Sequence, residues 1–257
     1  MKKRRPPRAW IAAARPPDPA ELLGPRGLTA EVLCGELNDS AHLAPRGWRF
    51  YWNLLSDERK SRILSVIAAR LSSVTVVLDR LLDPHNTAAI LRTSEGLGVA
   101  KAHIVSHESQ DALAHRRVTQ DADKWLDVEM HPTGAQAART LRERGYDVWA
   151  GHLDETAVLY TDLRADRPIA LLFGNEHEGP SKETLAACTG TFRIPMAGFT
   201  QSFNVSVAAG IALAQVTAGR RARLNAPGDL PEEQRVELQQ RFTLLAARLA
   251  RRLKSSP

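Results

Sequence analysis

From Val74 to Ala218 the chain alternates short β-branched or apolar runs with helical stretches, and that alternation most limits the folds open to it. Val74-Thr75-Val76-Val77-Leu78 reads as a strand, Asn86 to Gly96 as a helix and Ala102 to Val105 as another short strand. Strands are expected again at Asp147 to Ala150, Ile169 to Phe173 and Thr191 to Ile194. Helices are expected over Thr133 to Glu143, Ser181 to Ala187 and Phe203 to Ala218. Parallel neighbours need a crossover, and the crossover helix covers a face of the sheet. The order therefore predicts an α/β fold with a mostly parallel sheet between helices.

Outside this body the rhythm changes. Residues 1–45 carry Pro6, Pro7, Pro16, Pro17, Pro19 and Pro25 and read as a basic Pro-rich arm ending in a short helix over Thr29 to Leu37. Pro45-Arg46-Gly47 breaks the chain. Residues 46–70 follow as a helical extension, in which Trp48 to Ala69 places Phe50, Leu54, Ile63, Leu64 and Ile67 near helical spacing. The body takes residues 71–219, and residues 220–257 form a basic C-terminal helical extension. There Asp229-Leu230-Pro231-Glu232-Glu233 carries a helix-start signature, and Leu238, Phe242, Leu245, Leu249 and Leu253 make one apolar stripe.

Charge separates the ends from the middle. Lys2, Lys3, Arg4, Arg5, Arg8 and Arg15 precede any acidic residue and equal the whole net charge of +6. From Gly219 onward nine basic residues, among them Arg248, Arg251 and Arg252, face four acidic ones, which leaves residues 18–218 mildly acidic. Basic ends suit a polyanion gripped by appendages; they also suit a chain kept soluble by its termini. Cys34 and Cys188 have neither metal-ligand spacing nor the density of a disulfide scaffold, as in a reducing compartment. No apolar run reaches the roughly 18 to 20 residues that span a bilayer. Lys2 to Arg5 lead into Pro6-Pro7-Arg8 and no signal-peptide core develops, so a cytoplasmic protein without membrane attachment is expected.

Three stretches at the ends of expected strands carry the chemistry, which is where open α/β sheets place ligands. In Asp83-Pro84-His85-Asn86 through Arg92-Thr93-Ser94-Glu95-Gly96, Arg92 stands in a mostly apolar helix. Such an arginine either pairs with a carboxylate or carbonyls, or binds an anion such as phosphate. Gly174-Asn175-Glu176-His177-Glu178-Gly179-Pro180-Ser181 closes an apolar strand with a glycine-bounded polar loop. It lacks both the phosphate-binding lysine-serine pair and the dinucleotide GxGxxG run. Adjacent Glu176, His177 and Glu178 do not converge on one ion, so no catalytic metal is expected. In Ile194-Pro195-Met196-Ala197-Gly198-Phe199-Thr200-Gln201-Ser202-Phe203-Asn204-Val205-Ser206, a flexible loop enters a helix rich in small residues, with Ser202 as the cap candidate. No base accompanies these serines and the GxSxG elbow is absent, which argues against a hydrolase.

In order and separation, the three stretches resemble the three motifs of the SpoU, or TrmH, family of RNA ribose 2'-O-methyltransferases. The similarity runs from about Leu71 to Gly219 and is greatest to the branch acting on the D-loop guanosine of tRNA. The resemblance implies a SPOUT fold, a parallel α/β domain with a C-terminal deep trefoil knot, which departs from the usual avoidance of threaded chains. It also implies a homodimer and S-adenosyl-L-methionine as methyl donor. Gly151, Gly174, Ile194, Met196, Phe203 and Val205 fall at its cofactor positions. Arg92 falls at the position that activates the ribose 2'-hydroxyl. Asn86 and Glu178 are then expected to hold the site together, with Ser202 and Asn204 shaping the knot and the substrate edge.

The chain departs from the family pattern at Phe203, where leucine is common, at Pro180, where a branched or sulfur-containing apolar residue is common, and at His177, which replaces a frequent lysine or glycine. Its opening 45 residues have no clear counterpart. Three functions follow for comparison. The first is methylation of a tRNA guanosine, with Lys2, Lys3, Arg4, Arg5, Arg8, Arg248, Arg251 and Arg252 gripping the RNA. The second is the same chemistry on ribosomal RNA, and the third is noncatalytic RNA binding.

Overall fold

The β-branched run around Val76 becomes the centre of a sheet. In the computed structural model, which describes residues 47–105 and 125–254 and only the backbone of 248–254, β1 spans Leu71–Asp79 and is buried along nearly its whole length. Before it come α1 (Trp48–Leu54) and α2 (Asp57–Ala68). After it come α3 (Pro84–Gly96), β2 (Val99–Val105), β3 (Asp127–His131), α4 (Gly134–Glu143), β4 (Asp147–Gly151) and β5 (Val158–Leu159). The chain continues through β6 (Ile169–Phe173), α5 (Lys182–Ala187), β7 (Gly190–Arg193), α6 (Val205–Leu224) and α7 (Glu232–Lys254).

The strand order is β3-β2-β1-β6-β4-β7-β5 and every pairing is parallel. β6 enters between two strands that precede it in the chain. Its register sets Ile169 beside both Val74 of β1 and Asp147 of β4. Side chains alternate across the sheet. Val74, Val76, Leu78 and Leu171 face one cluster with Ile90 and Leu91 of α3 and Leu213 and Val216 of α6. Val77, Val148 and Leu172 face the other with Ala137, Ala138 and Leu141 of α4.

Polar clamps hold the ends of these elements. Arg70, 1% exposed, donates to the Glu95 carboxylate at 2.7 Å and to the carbonyls of Glu95, Val99 and Trp125 at 3.2, 2.9 and 3.2 Å. A cation thus satisfies carbonyls at the C-terminal end of α3, where the helix dipole is negative. Arg221 adds bonds to the carbonyls of Leu97 and Ala69 at 2.7 and 3.1 Å. The Asp229 carboxylate accepts from the backbone amide of Ser72 at 2.6 Å, which ties the start of β1 to the segment after α6.

The expected strands and helices of the body are present, with informative differences. The helical stretch from Trp48 divides at Leu55-Ser56, where the Ser56 hydroxyl accepts from the Arg59 amide at 3.3 Å. β3 and β5 went unforeseen: β3 is an edge strand of mixed polarity, and β5 has two residues. α6 begins one residue after Asn204 and continues to Leu224, ending at Asn225 with φ of +49°, a left-handed cap. The expected helix over Thr29 to Leu37 lies outside the described residues.

The chain divides into two compact units, with boundaries between residues 64 and 65 and between 236 and 237. The larger is the sheet and its covering helices. In the other, Tyr51, Leu55 and Ile63 are buried, as are Phe242, Ala246 and Ala247 of α7. Leu238 and Leu245 of the stripe are half-buried, and the side chains of Leu249 and Leu253 lie outside the described residues.

On the β2–β3 edge, His103 Nδ1 and His131 Nε2 lie 2.9 Å apart, so one imidazole donates to the other and the two rings cannot both be protonated without losing that bond. Burial first, and then the neighbouring imidazole, lower the proton affinity of His103. Burial also lowers that of His131, opposed by Glu129 and reinforced by Arg144 and Lys101. Below the ordinary imidazole range the unfolded chain therefore binds protons that the native state refuses. Stability is complete above that range and is lost as pH falls. The melting temperature should drop between pH 7 and 5, each unit of depressed affinity contributing about 1.4 kcal/mol. His103→Gln should flatten the decline in the same thermal melts.

Candidate functional site

Parallel strands bring the C-terminal ends of β4, β6 and β7 to one edge, and a cavity of about 550 Å³ opens there. This is the size of a small-ligand site and the place that parallel sheets favour for one. Gly151 closes β4, Gly174 follows β6, and Ile194 follows β7; all three line the cavity, together with Met196, Phe203 and Val205. The six residues expected to meet a cofactor thus line one space.

The loop after β6 is built by backbone approach. A Cβ on Gly174 would sit 2.5 Å from the Gly179 carbonyl carbon and closer still to the Pro180 nitrogen, so only glycine lets the loop fold back. Gly179 adopts φ of +69°, a conformation natural to glycine. Within the loop, Asn175 Oδ1 accepts from the amides of His177 and Glu178 at 2.9 and 3.2 Å, and its Nδ2 donates to the Arg80 carbonyl at 3.2 Å. The loop is thereby tied to the end of β1. The cavity wall combines this polar loop with apolar side chains of the β4, β6 and β7 ends, which suits a ligand with both polar and apolar parts.

Glu176 joins this loop to α3 and α6. Its carboxylate accepts from the amides of Leu82 and Asp83 at 2.8 and 3.3 Å and from Asn86 Nδ2 at 3.0 Å. Burial pushes the Glu176 carboxyl upward, but these donors outweigh it and hold the group below its usual range. Asn86 is buried beyond its Glu176 bond, and its Oδ1 accepts from Asn204 Nδ2 at 3.0 Å. Asn204 Oδ1 in turn accepts from the Ser206 amide at 2.9 Å, capping α6. One hydrogen-bonded row connects the three stretches.

Of the residues expected to carry catalysis, Glu178, Ser202 and Asn204 line the cavity, and Asn86 lies behind it, bonded to two lining residues. The carboxylate that holds Asn86 is that of Glu176. Glu178 is exposed, and its recorded bond is made through its backbone amide. The cap of α6 is Asn204, and Ser202 is exposed in the preceding loop. Arg92 lies six residues along α3 from Asn86, about 9 Å up the helix. It is exposed, and among the described residues no hydrogen bond or ion pair engages it. The buried, carbonyl-bound arginine is Arg70 instead.

Sequence reasoning missed Glu176, although a signal was available: it is the acid nearest the strand end in Gly174-Asn175-Glu176. Lys2, Lys3, Arg4, Arg5 and Arg8 lie outside the described residues; Arg248, Arg251 and Arg252 lie on α7 with only their backbone described.

The sequence model of the SpoU rRNA Methylase family matches residues 73–214, a stretch that contains the cavity and all three stretches. The chain belongs to the SpoU methylase family. A tRNA (guanosine(18)-2'-O)-methyltransferase of Thermus thermophilus is 38% identical over 171 residues, covering 66% of this chain and 86% of that protein. The enzyme of the same name from Escherichia coli K12 is 31% identical over 197 residues, covering 75% and 86%. Among solved structures, the A. aeolicus TrmH/SpoU tRNA modifying enzyme superposes with a TM-score of 0.66 at 28% identity, covering 74% of this chain and 96% of that one. An AdoMet-bound rRNA methyltransferase from Sinorhizobium meliloti gives 0.52 at 29%, covering 63% and 60%. The architecture is the SPOUT-type α/β fold of this SpoU family, a parallel sheet of seven strands with flanking helices, consistent with its trefoil knot.

Removing the Glu176 carboxylate leaves two backbone amides and the Asn86 amide without their acceptor. Glu176→Ala should lower unfolding free energy by about 1–3 kcal/mol, while Glu178→Ala should change it by less than about 0.5 kcal/mol. Urea denaturation of the two variants measures the contrast.

Proposed function

We propose that the chain transfers a methyl group from S-adenosyl-L-methionine to the ribose 2'-hydroxyl of a guanosine in the tRNA D-loop. The observation that carries this reading is the cavity at the β4, β6 and β7 ends, joined by Glu176, Asn86 and Asn204 to the helix bearing Arg92. The relatives named as guanosine-18 methyltransferases of tRNA, and the AdoMet-bound structure of similar fold, support it.

The chain's own residues fit such a cofactor. The Gly174 cradle leaves room that a side chain would fill, and the apolar Ile194, Met196 and Val205 face the same cavity as the polar loop. When bound, S-adenosyl-L-methionine supplies an electrophilic methyl group on a sulfonium. Gly151, Gly174 and Ile194 would hold it chiefly through backbone groups, with Met196, Phe203 and Val205 beside them. Arg92 offers a fixed positive charge and several donors but no basic lone pair. Its part is therefore to orient and polarise the ribose hydroxyl, whose proton would pass to an RNA phosphate or to solvent as the C–O bond forms and the S–CH3 bond breaks, and charge placement supplies the rate. Asn86, held by Glu176, keeps α3 and hence Arg92 in place. Ser202 and Asn204 form the substrate edge.

The basic arm of residues 1–45 and the extension of residues 220–257 are assigned to RNA binding, so that affinity comes from the ends and chemistry from the body. Two copies per assembly fit the exposed apolar side chains of Leu82 and Val207, and sedimentation velocity of the full chain tests this. Among the described residues no helix is long and apolar enough to cross a membrane, which accords with a cytoplasmic site of action.

Incubation with labelled S-adenosyl-L-methionine and either tRNA transcripts or ribosomal RNA fragments, followed by mapping of the modified ribose, tests the reaction. Label should appear in the tRNA D-loop; label confined to ribosomal RNA, or none despite binding of both partners, would refute this reading. Arg92→Ala should abolish transfer with little change in cofactor affinity measured by calorimetry. Deleting residues 1–17 removes six positive charges. It should weaken tRNA binding more at 50 mM than at 200 mM salt, since each phosphate contact steepens the salt dependence.

A further inference from the structure

Among the described residues, one aromatic ring beside the cavity stands clear of the fold. Phe199 has a relative exposure of 108%, so its ring packs against nothing. It stands between β7 and α6, in a loop whose two ends, at Ile194 and Met196 and again from Gln201 to Val205, line the cavity while Phe199 does not. Both flanks of the loop are thus tied to the cavity mouth and its middle projects into solvent. A solvated benzyl group forfeits the gain of burial, and the loop places that cost at the rim of the site.

The surroundings select the occupant. Residues 197–202 are all exposed and, apart from Phe199, are small or polar. A protein interface centres on a cluster of apolar anchors, and over residues 197–202 this loop offers the ring of Phe199 alone, while Phe203 beyond it lines the cavity. A single ring is enough for a nucleobase, because every base has a π-face and unpaired bases are held by stacking on aromatic side chains. The ring loses little freedom on binding, having only two side-chain torsions. Arg193, immediately before the loop, is exposed and supplies positive charge on the same segment, as a phosphate-bearing partner requires.

We propose that Phe199 is a substrate-positioning residue that stacks on an unpaired base of the RNA at the nucleotide being methylated or its immediate neighbour. The inference rests on the RNA-methylating reading of the cavity. Stacking at the rim would hold the target nucleotide out of its own stack and present its ribose to Arg92, which positions the substrate without contact to the methyl donor.

The test uses the full chain and an unmethylated tRNA transcript, with RNA affinity from direct titration and turnover from methyl transfer. Phe199→Ala should raise both Kd and KM for the transcript about ten-fold, the loss of one stack, and leave affinity for S-adenosyl-L-methionine unchanged. Phe199→Trp should restore both. Phe199→Leu, which keeps the apolar bulk but has no π-face, should not. Unchanged RNA affinity in Phe199→Ala, full recovery in Phe199→Leu, or a changed sedimentation coefficient in Phe199→Ala that reveals a protein contact would each overturn the stack. A wild-type chain that binds tRNA without methylating it would refute the methylation reading and leave the stack measurable by titration. A chain that binds no RNA would overturn both.

Discussion

The Glu176 carboxylate sets the direction of every hydrogen bond at the junction of the site. Ionised, it can only accept, so Asn86 must present its Nδ2 to it and turn its Oδ1 the other way. That oxygen then requires a donor, which Asn204 provides, and Asn204 is left with its own Oδ1 to cap α6. A single charge thus orients two amides and the start of a 20-residue helix. Each member is satisfied by the next, which is the condition under which a partly buried polar row adds rigidity instead of strain.

The row can form because β6 is inserted between β1 and β4. In that slot the strand delivers its trailing loop beside the end of β1 and the beginning of α3, and Asn175 and Glu176 complete the tie. The opposite ends of the elements are held by cations on carbonyls, Arg70 and Arg221, and by Asp229 on the start of β1. Clamps at one end and a cavity at the other divide the sheet into a stabilised edge and a working edge.

The working edge is sparing with positive charge: Arg193 lines the cavity beside Glu176 and Glu178. Its wall consists largely of glycine-bounded backbone and apolar side chains, and Arg92 stands exposed on α3, outside the cavity lining. A cation kept in solvent costs little to maintain, and its field strengthens when a substrate covers it and excludes water. The excess of positive charge lies in the sequence at the ends of the chain, a distribution that suits a polyanionic partner.

Much of this was legible in the residue order, because strand and helix periodicities are local. The run at Val74 to Leu78, the Ala-rich segment leading into α6 and the glycine-bounded loop after Phe173 announced the parallel sheet and its ligand edge. β3 was hidden by the mixed polarity of an edge strand, and β5 by its length. The six lining residues were reachable through resemblance to a family; periodicity says nothing of them. What the sequence determined by itself was the α/β class, the separation of charge between ends and body, and the three stretches that the hydrogen-bonded row joins. Tertiary structure alone decided that Glu176, and not Glu178, grips Asn86, and that Arg70, and not Arg92, is the buried arginine. Those partners lie 90 residues apart for Asn86 and 25 for Arg70 and the Glu95 carboxylate, and a hydrogen bond depends on distance and direction in space that spacing along a chain does not encode.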